Sequence, residues 1–176
     1  DIFSIAYALG QQFFVLGYFQ VRNLQSTDVK ERYQFGSYHN TRLFTVFLMI
    51  LTSFIYTLWQ GYDVYKSSII LLLVVYRAID AYSDVFQGLF QQKERLDIAG
   101  KSLFLRNTIS TIVFALTLVI SKNLLWSVIS QTISSFVFIA LFDYPHSKFF
   151  HRLNLKSVKP SNIINVLKDC LPLFIN

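Results

Sequence analysis

Three ionisable residues stand inside an otherwise apolar stretch: Arg77, Asp80 and Asp84, downstream of Ile69-Ile-Leu-Leu-Leu-Val-Val75. At about 100° per residue on a helix they fall within roughly 60° of one another. Gln87 and Gln91 continue the stripe three and seven residues after Asp84. A charge placed in hydrocarbon costs several kcal/mol, so such a stripe must face protein, a partner charge or water. A guanidinium suits a phosphate or another oxyanion, because its planar fork bonds two oxygens at once. The two carboxylates would orient Arg77 and take up a proton or cation. Tyr7 and Gln11, four residues apart on the first apolar segment, together with Gln87 and Gln91, would hydrogen-bond hydroxyl groups such as those of a sugar. The plainer reading of the same stripe is an Arg77–Asp80 pair that holds helices together.

Other chemistries fit the residues less well. Asp80 and Asp84 are spaced to share a divalent metal, as intramembrane phosphotransferases do, but the further Asp-x-x-Asp-Gly carboxylates of those enzymes do not occur upstream, and Arg77 reduces the negative charge of the pair. No catalytic residues, metal ligands or cofactor are expected. His39, His146 and His151 are read as loop residues, and no His-Glu-x-x-His is present. No Gly-x-x-x-x-Gly-Lys-Ser/Thr loop for nucleoside triphosphates occurs either. Cys170 stands alone, which excludes an internal disulfide.

The elements that must position the stripe are membrane helices. The chain has 176 residues, 53% of them hydrophobic and 15% charged, the latter well under the roughly 25% of soluble proteins. The apolar runs are long and continuous, not the alternating strands of a barrel. The expected fold is all-α, a polytopic transmembrane bundle, with spans over 2–21, 43–59, 69–90, 103–120 and 124–142 and a further span starting near 169. The chain begins at Asp1 beside apolar residues and ends on a new apolar run, so it is expected to be part of a longer protein. Gly10 and Gly17 are spaced for close helix approach, and Ser127, Ser130 and Ser134 for a helix–helix seam.

The net charge of +6 belongs to loops facing anionic lipid, not to a nucleic-acid surface. The loops after the first, third and fifth spans hold four basic residues (Arg22, Lys30, Arg32, Arg42), four (Lys93, Arg95, Lys101, Arg106) and five (Lys148, Arg152, Lys156, Lys159, Lys168). The loops after the second and fourth hold one each, Lys66 and Lys122. The positive-inside rule then places the three basic loops in the cytoplasm.

Several segments resemble the bacterial polysaccharide (O-antigen or capsule repeat-unit) flippases of the MATE-like multidrug/oligosaccharidyl-lipid/polysaccharide superfamily. They are Gln20-Val-Arg-Asn23 with Thr27-Asp-Val-Lys30, Tyr38 with Arg42 leading into a span, and the long motif from Asp80-Ala-Tyr-Ser-Asp-Val-Phe-Gln-Gly to Ala99-Gly-Lys-Ser102, together with Cys170-Leu-Pro-Leu-Phe174. The resemblance implies two six-helix lobes around a central cavity, with this chain supplying spans two to six and the start of seven. It implies transport of undecaprenyl-pyrophosphate-linked oligosaccharide repeat units across the bacterial cytoplasmic membrane by alternating access. Of the stripe, only the motif around Asp80 and Asp84 is carried by the likeness. The alternatives are a MATE-like exporter of small molecules or drugs and, further off, a lipid-modifying intramembrane enzyme.

Overall fold

The computed structural model describes residues 2–150 and 160–175. Among them every regular element is helical: α1 (Ile2–Tyr18), α2 (Val21–Thr27), α3 (Phe35–Trp59), α4 (Val64–Gln92), α5 (Leu96–Ser121), α6 (Leu124–Phe138), α7 (Tyr144–Phe150) and α8 (Pro160–Ile175). A single wide π-turn, Ile139–Asp143, joins α6 to α7 so that the two run on as one rod.

The boundaries follow local chemistry. α1 stops short of the expected Val21 because Phe19 and Gln20 take left-handed backbone conformations (φ 36° and 53°), which break the helical ladder and turn α2 away by 40°. α3 begins at Phe35, eight residues before the expected Leu43, since its first turns are polar and aromatic but buried: Tyr38, His39, Thr41 and Arg42 all face protein. Asp63 caps α4 by accepting the Lys66 amide at 3.1 Å. Asn123 caps α6, accepting from the Leu125 and Trp126 amides. Glu94 and Lys122, both at positive φ, close α4 and α5. The loop expected between Gln91 and Arg106 is therefore only the turn before Leu96, and Lys101 and Arg106 are helical.

Three helical rods are long and apolar enough to cross a bilayer: Phe35–Trp59, Leu96–Ser121 and Leu124–Phe150. The bent pair α1–α2 makes a fourth if counted as one span. α4 has the length but not the apolarity. It runs through the middle of the bundle, packed on α1, α2, α3, α5 and α6, with Ile69, Ile70 and Leu73 in one apolar cluster and Val85, Phe86, Leu89 and Phe90 in another. Of the two glycines expected at a close helix approach, Gly17 sits where a Cβ would crowd its neighbour, while at Gly10 it would make ordinary contact. A Cβ on Gly10 would lie 3.6 Å from Arg77 Cγ, and one on Gly17 would lie 2.6 Å from Met49 Sδ. The serine row is a seam in part: Ser127 is buried and Ser130 donates across to Thr117 of α5 at 3.0 Å, while Ser134 bonds only within its own helix.

The two basic turns at one end of the bundle meet. Lys93 pairs with Glu31, and Gln92 donates its side-chain amide to the Asp28 carbonyl at 2.7 Å. Asp28 organises the turn before α3. Its carboxylate accepts the amides of Arg32 (2.9 Å) and Tyr33 (3.0 Å) and the Tyr38 hydroxyl (2.9 Å). Partial burial pushes this carboxyl up, but those three donors outweigh it and leave it below its ordinary value of 3.8.

Candidate functional site

The middle of α4 carries Asp80 and Asp84 on its inner face, and each gathers two arginines from different helices. Asp80 accepts Arg77 at 2.9 Å through one oxygen and Arg106 of α5 through the other. Asp84 accepts Arg22 of α2 at 2.9 Å and Arg42 of α3 at 2.9 Å. Arg22 also reaches the side-chain carbonyls of Gln87 (2.9 Å) and Gln91 (3.1 Å). Arg77 extends to the Tyr7 hydroxyl at 2.5 Å and lies over the Tyr7 ring, 4.8 Å from its centre. Arg42 is fully enclosed and additionally donates to the backbone carbonyls of Gly17 (2.5 Å) and Tyr18 (2.6 Å).

Five helices thus meet at one charged knot. Residues of the predicted stripe (Arg77, Asp80, Asp84, Gln87, Gln91) come together there with Tyr7. Gln11 does not join them: it is exposed on α1 and does not line the cavity beside the knot. Arg22, Arg42 and Arg106, which the sequence reading puts in basic loops, are instead drawn into the interior, because two carboxylates on a central helix need partners there. This corrects the basic-loop count. At the end where the two basic turns meet, Lys30, Arg32, Lys93, Arg95 and Lys101 stay at the surface of the bundle. Arg152, Lys156 and Lys159 lie outside the described residues, as does His151.

A cavity of about 220 Å³ opens against the knot, lined by Tyr18, Arg22, Arg77, Asp80, Asp84, Gln87 and Arg106 among others. Four guanidinium groups face two carboxylates, so the knot keeps an excess of two positive charges. Arg22 and Arg77 retain partial exposure, with 21% and 17% of their side-chain surface open. The Nε of Arg106 and of Arg42 are buried without a hydrogen-bond partner. Such a site can hold a small oxyanion through several forks at once. Its volume is below the roughly 300–1,000 Å³ of sites that enclose drug-sized ligands.

Two histidines are helical, not in loops. His39 is buried on α3 with Nε2 3.0 Å from the Tyr82 hydroxyl. His146 stacks on Phe142 at 4.3 Å with Nδ1 2.7 Å from that residue's carbonyl.

No protein-family model, no curated protein and no solved structure matches this chain.

Proposed function

We propose that this chain forms part of a flippase that moves undecaprenyl-pyrophosphate-linked oligosaccharide repeat units across the bacterial cytoplasmic membrane for surface polysaccharide synthesis. In this reading it is not an enzyme. It supplies five complete spans, α4 among them, and the start of another to one lobe of a two-lobe MATE-like bundle. The observation that carries the proposal is the cluster of four arginines around Asp80 and Asp84, set inside a bundle whose outer faces are apolar. A pyrophosphate brings two phosphate groups with multiple acceptor oxygens, which match forked donors with surplus positive charge. Arg22 and Arg77, the partly open members, make the contact. Arg42 and Arg106 hold the carboxylates in place. Gln87, Gln91 and Tyr7 border the headgroup and meet the first sugars. The prenyl chain remains in lipid outside the bundle.

The positive excess speaks against the alternative of an exporter for hydrophobic cations, which would be repelled by these arginines. The test is the amount of lipid-linked repeat unit on each leaflet in cells carrying the full-length protein, its Arg77→Ala, Arg77→Lys or Arg22→Ala forms, at matched expression. Accumulation on the inner leaflet in both alanine variants is expected. If Arg77→Lys also accumulates precursor, the fork geometry matters beyond charge. Unimpaired translocation in both alanine variants sinks the assignment.

A further inference from the structure

Asp143 stands apart from the knot. It is completely buried, and among the described residues it is the one buried carboxylate without an ion-pair partner. It lies at the end of the π-turn Ile139–Asp143, a wide turn of a kind frequent at functional positions. Its partners are two hydroxyls from two other helices: Ser83 of α4 donates to one oxygen at 2.8 Å and Ser102 of α5 to the other at 2.5 Å.

We propose that Asp143 is a proton-binding site of this protein, alternating between carboxylate and carboxylic acid as the protein works. Its surroundings separate it from Asp80 and Asp84. Those two each accept charged hydrogen bonds from two guanidinium groups, which favour the ionised form over the protonated one. Asp143 has no such bond to lose, and an unpaired carboxylate enclosed in a membrane bundle is the group whose charge is most costly to keep.

The neighbouring groups do not supply the missing partner. Arg106 of α5 and His146 of α7 act on Asp143 through space. Arg106, however, is committed to Asp80 and Ser135, and His146 turns Nδ1 to the Phe142 carbonyl. Lys101 of α5 is exposed, and Lys148 of α7 lies over the Tyr144 ring. On α4, Tyr82 is bonded to His39. α6 carries no titratable residue.

One carboxylate oxygen takes a proton from hydronium, forming an O–H bond and releasing water. The neutral acid then donates where it had accepted, so one serine hydroxyl must reverse. Ser83 is the consequential one. It accepts from Gln87 at 3.4 Å, and Gln87 in turn accepts from Arg22 at 2.9 Å. Protonation of Asp143 therefore reaches the cavity through three side chains. The inference goes beyond the flippase reading and does not require it.

The experiment is infrared difference spectroscopy of the full chain in liposomes over a pH series, following the carbonyl stretch of protonated carboxyl groups. A titrating band is expected in the wild type and should be lost in Asp143→Asn. Should that variant fail to insert, Ser102→Ala decides alone. Removing a donor to the charged form should move the midpoint upward by about one pH unit. An unchanged band in Asp143→Asn, or an unmoved midpoint in Ser102→Ala, overturns the proposal.

Discussion

α4 and α5 are nearly equal in length, and their surfaces are opposites. Of the 29 residues of α4, 16 are buried, and these include Asp80, Ser83, Asp84 and Gln87. Of the 26 of α5, five are buried: Ile98, Ala99, Ser102, Arg106 and Ser110. The outward residues of α5 are large and apolar, with Phe104 68%, Val119 75% and Ile120 81% exposed. In a protein folded in water the more polar helix would lie outside. Here the polar helix is enclosed and the apolar one forms the wall, which is the arrangement expected when the solvent is lipid. The polar stripe of α5 (Ser102, Arg106, Ser110) is turned inward to meet α4. On α5, burial follows the need for hydrogen-bond partners more than hydrophobicity.

The contrast can be broken most severely from inside. Asp84→Leu keeps the bulk and removes the charge, leaving the enclosed Arg42 without its carboxylate. Breaking one side of a buried pair should lower stability by about 3–5 kcal/mol, read as a lower midpoint in thermal unfolding of the full chain in detergent. From outside, Ile112, 52% exposed on α5, gives the reverse test. Ile112→Lys should disfavour membrane insertion by about 2.5–3.5 kcal/mol if that face meets hydrocarbon, while Ile112→Ala should change stability by no more than about 0.5 kcal/mol. Insertion of the lysine variant at wild-type efficiency would mean the face is covered by protein or water.

Gly88 probes how tightly the polar helix is held. A Cβ there would sit 2.5 Å from Gln25 Oε1 and 2.9 Å from its Cδ, so Gly88→Ala should cost about 1–3 kcal/mol by overpacking. Double substitution with Gln25→Ala should recover most of that. The smallest effect belongs to the surface turn. The Asp28 carboxyl is held below its ordinary value of 3.8, so it contributes stability that is present above that value and disappears as pH falls through the lowered one. The unfolding midpoint should decline below about pH 4, and Asp28→Asn should flatten that part of the decline.

Much of α4 was legible in the sequence, because spacing alone puts Arg77, Asp80, Asp84, Gln87 and Gln91 on one helix face. The partners were not. Arg22, Arg42 and Arg106 each stand at the margin of an apolar run, where a basic residue normally marks the membrane surface, and only the packing of α2, α3 and α5 on α4 shows that they turn inward. A span expected to end at residue 142 puts Asp143 just outside it; the π-turn and the helix that follows keep this residue inside. Gln11 shares a helical face with Tyr7 by spacing, but only Tyr7 meets Arg77. The first turns of α3 escape the sequence pattern for a related reason. A hydropathy reading begins a span where apolar residues begin, whereas Tyr38, His39, Thr41 and Arg42 are buried by the helices packed around them.

Four guanidinium groups against two carboxylates also bear on the unliganded protein. Surplus charge in a partly enclosed space attracts mobile counterions, so an arriving anion exchanges with ions already condensed there. Its apparent affinity should then fall as salt rises, and part of the driving force for capture is the entropy of the ions set free. The cavity works as an ion exchanger, with a selectivity set by which anion can use several forks at once.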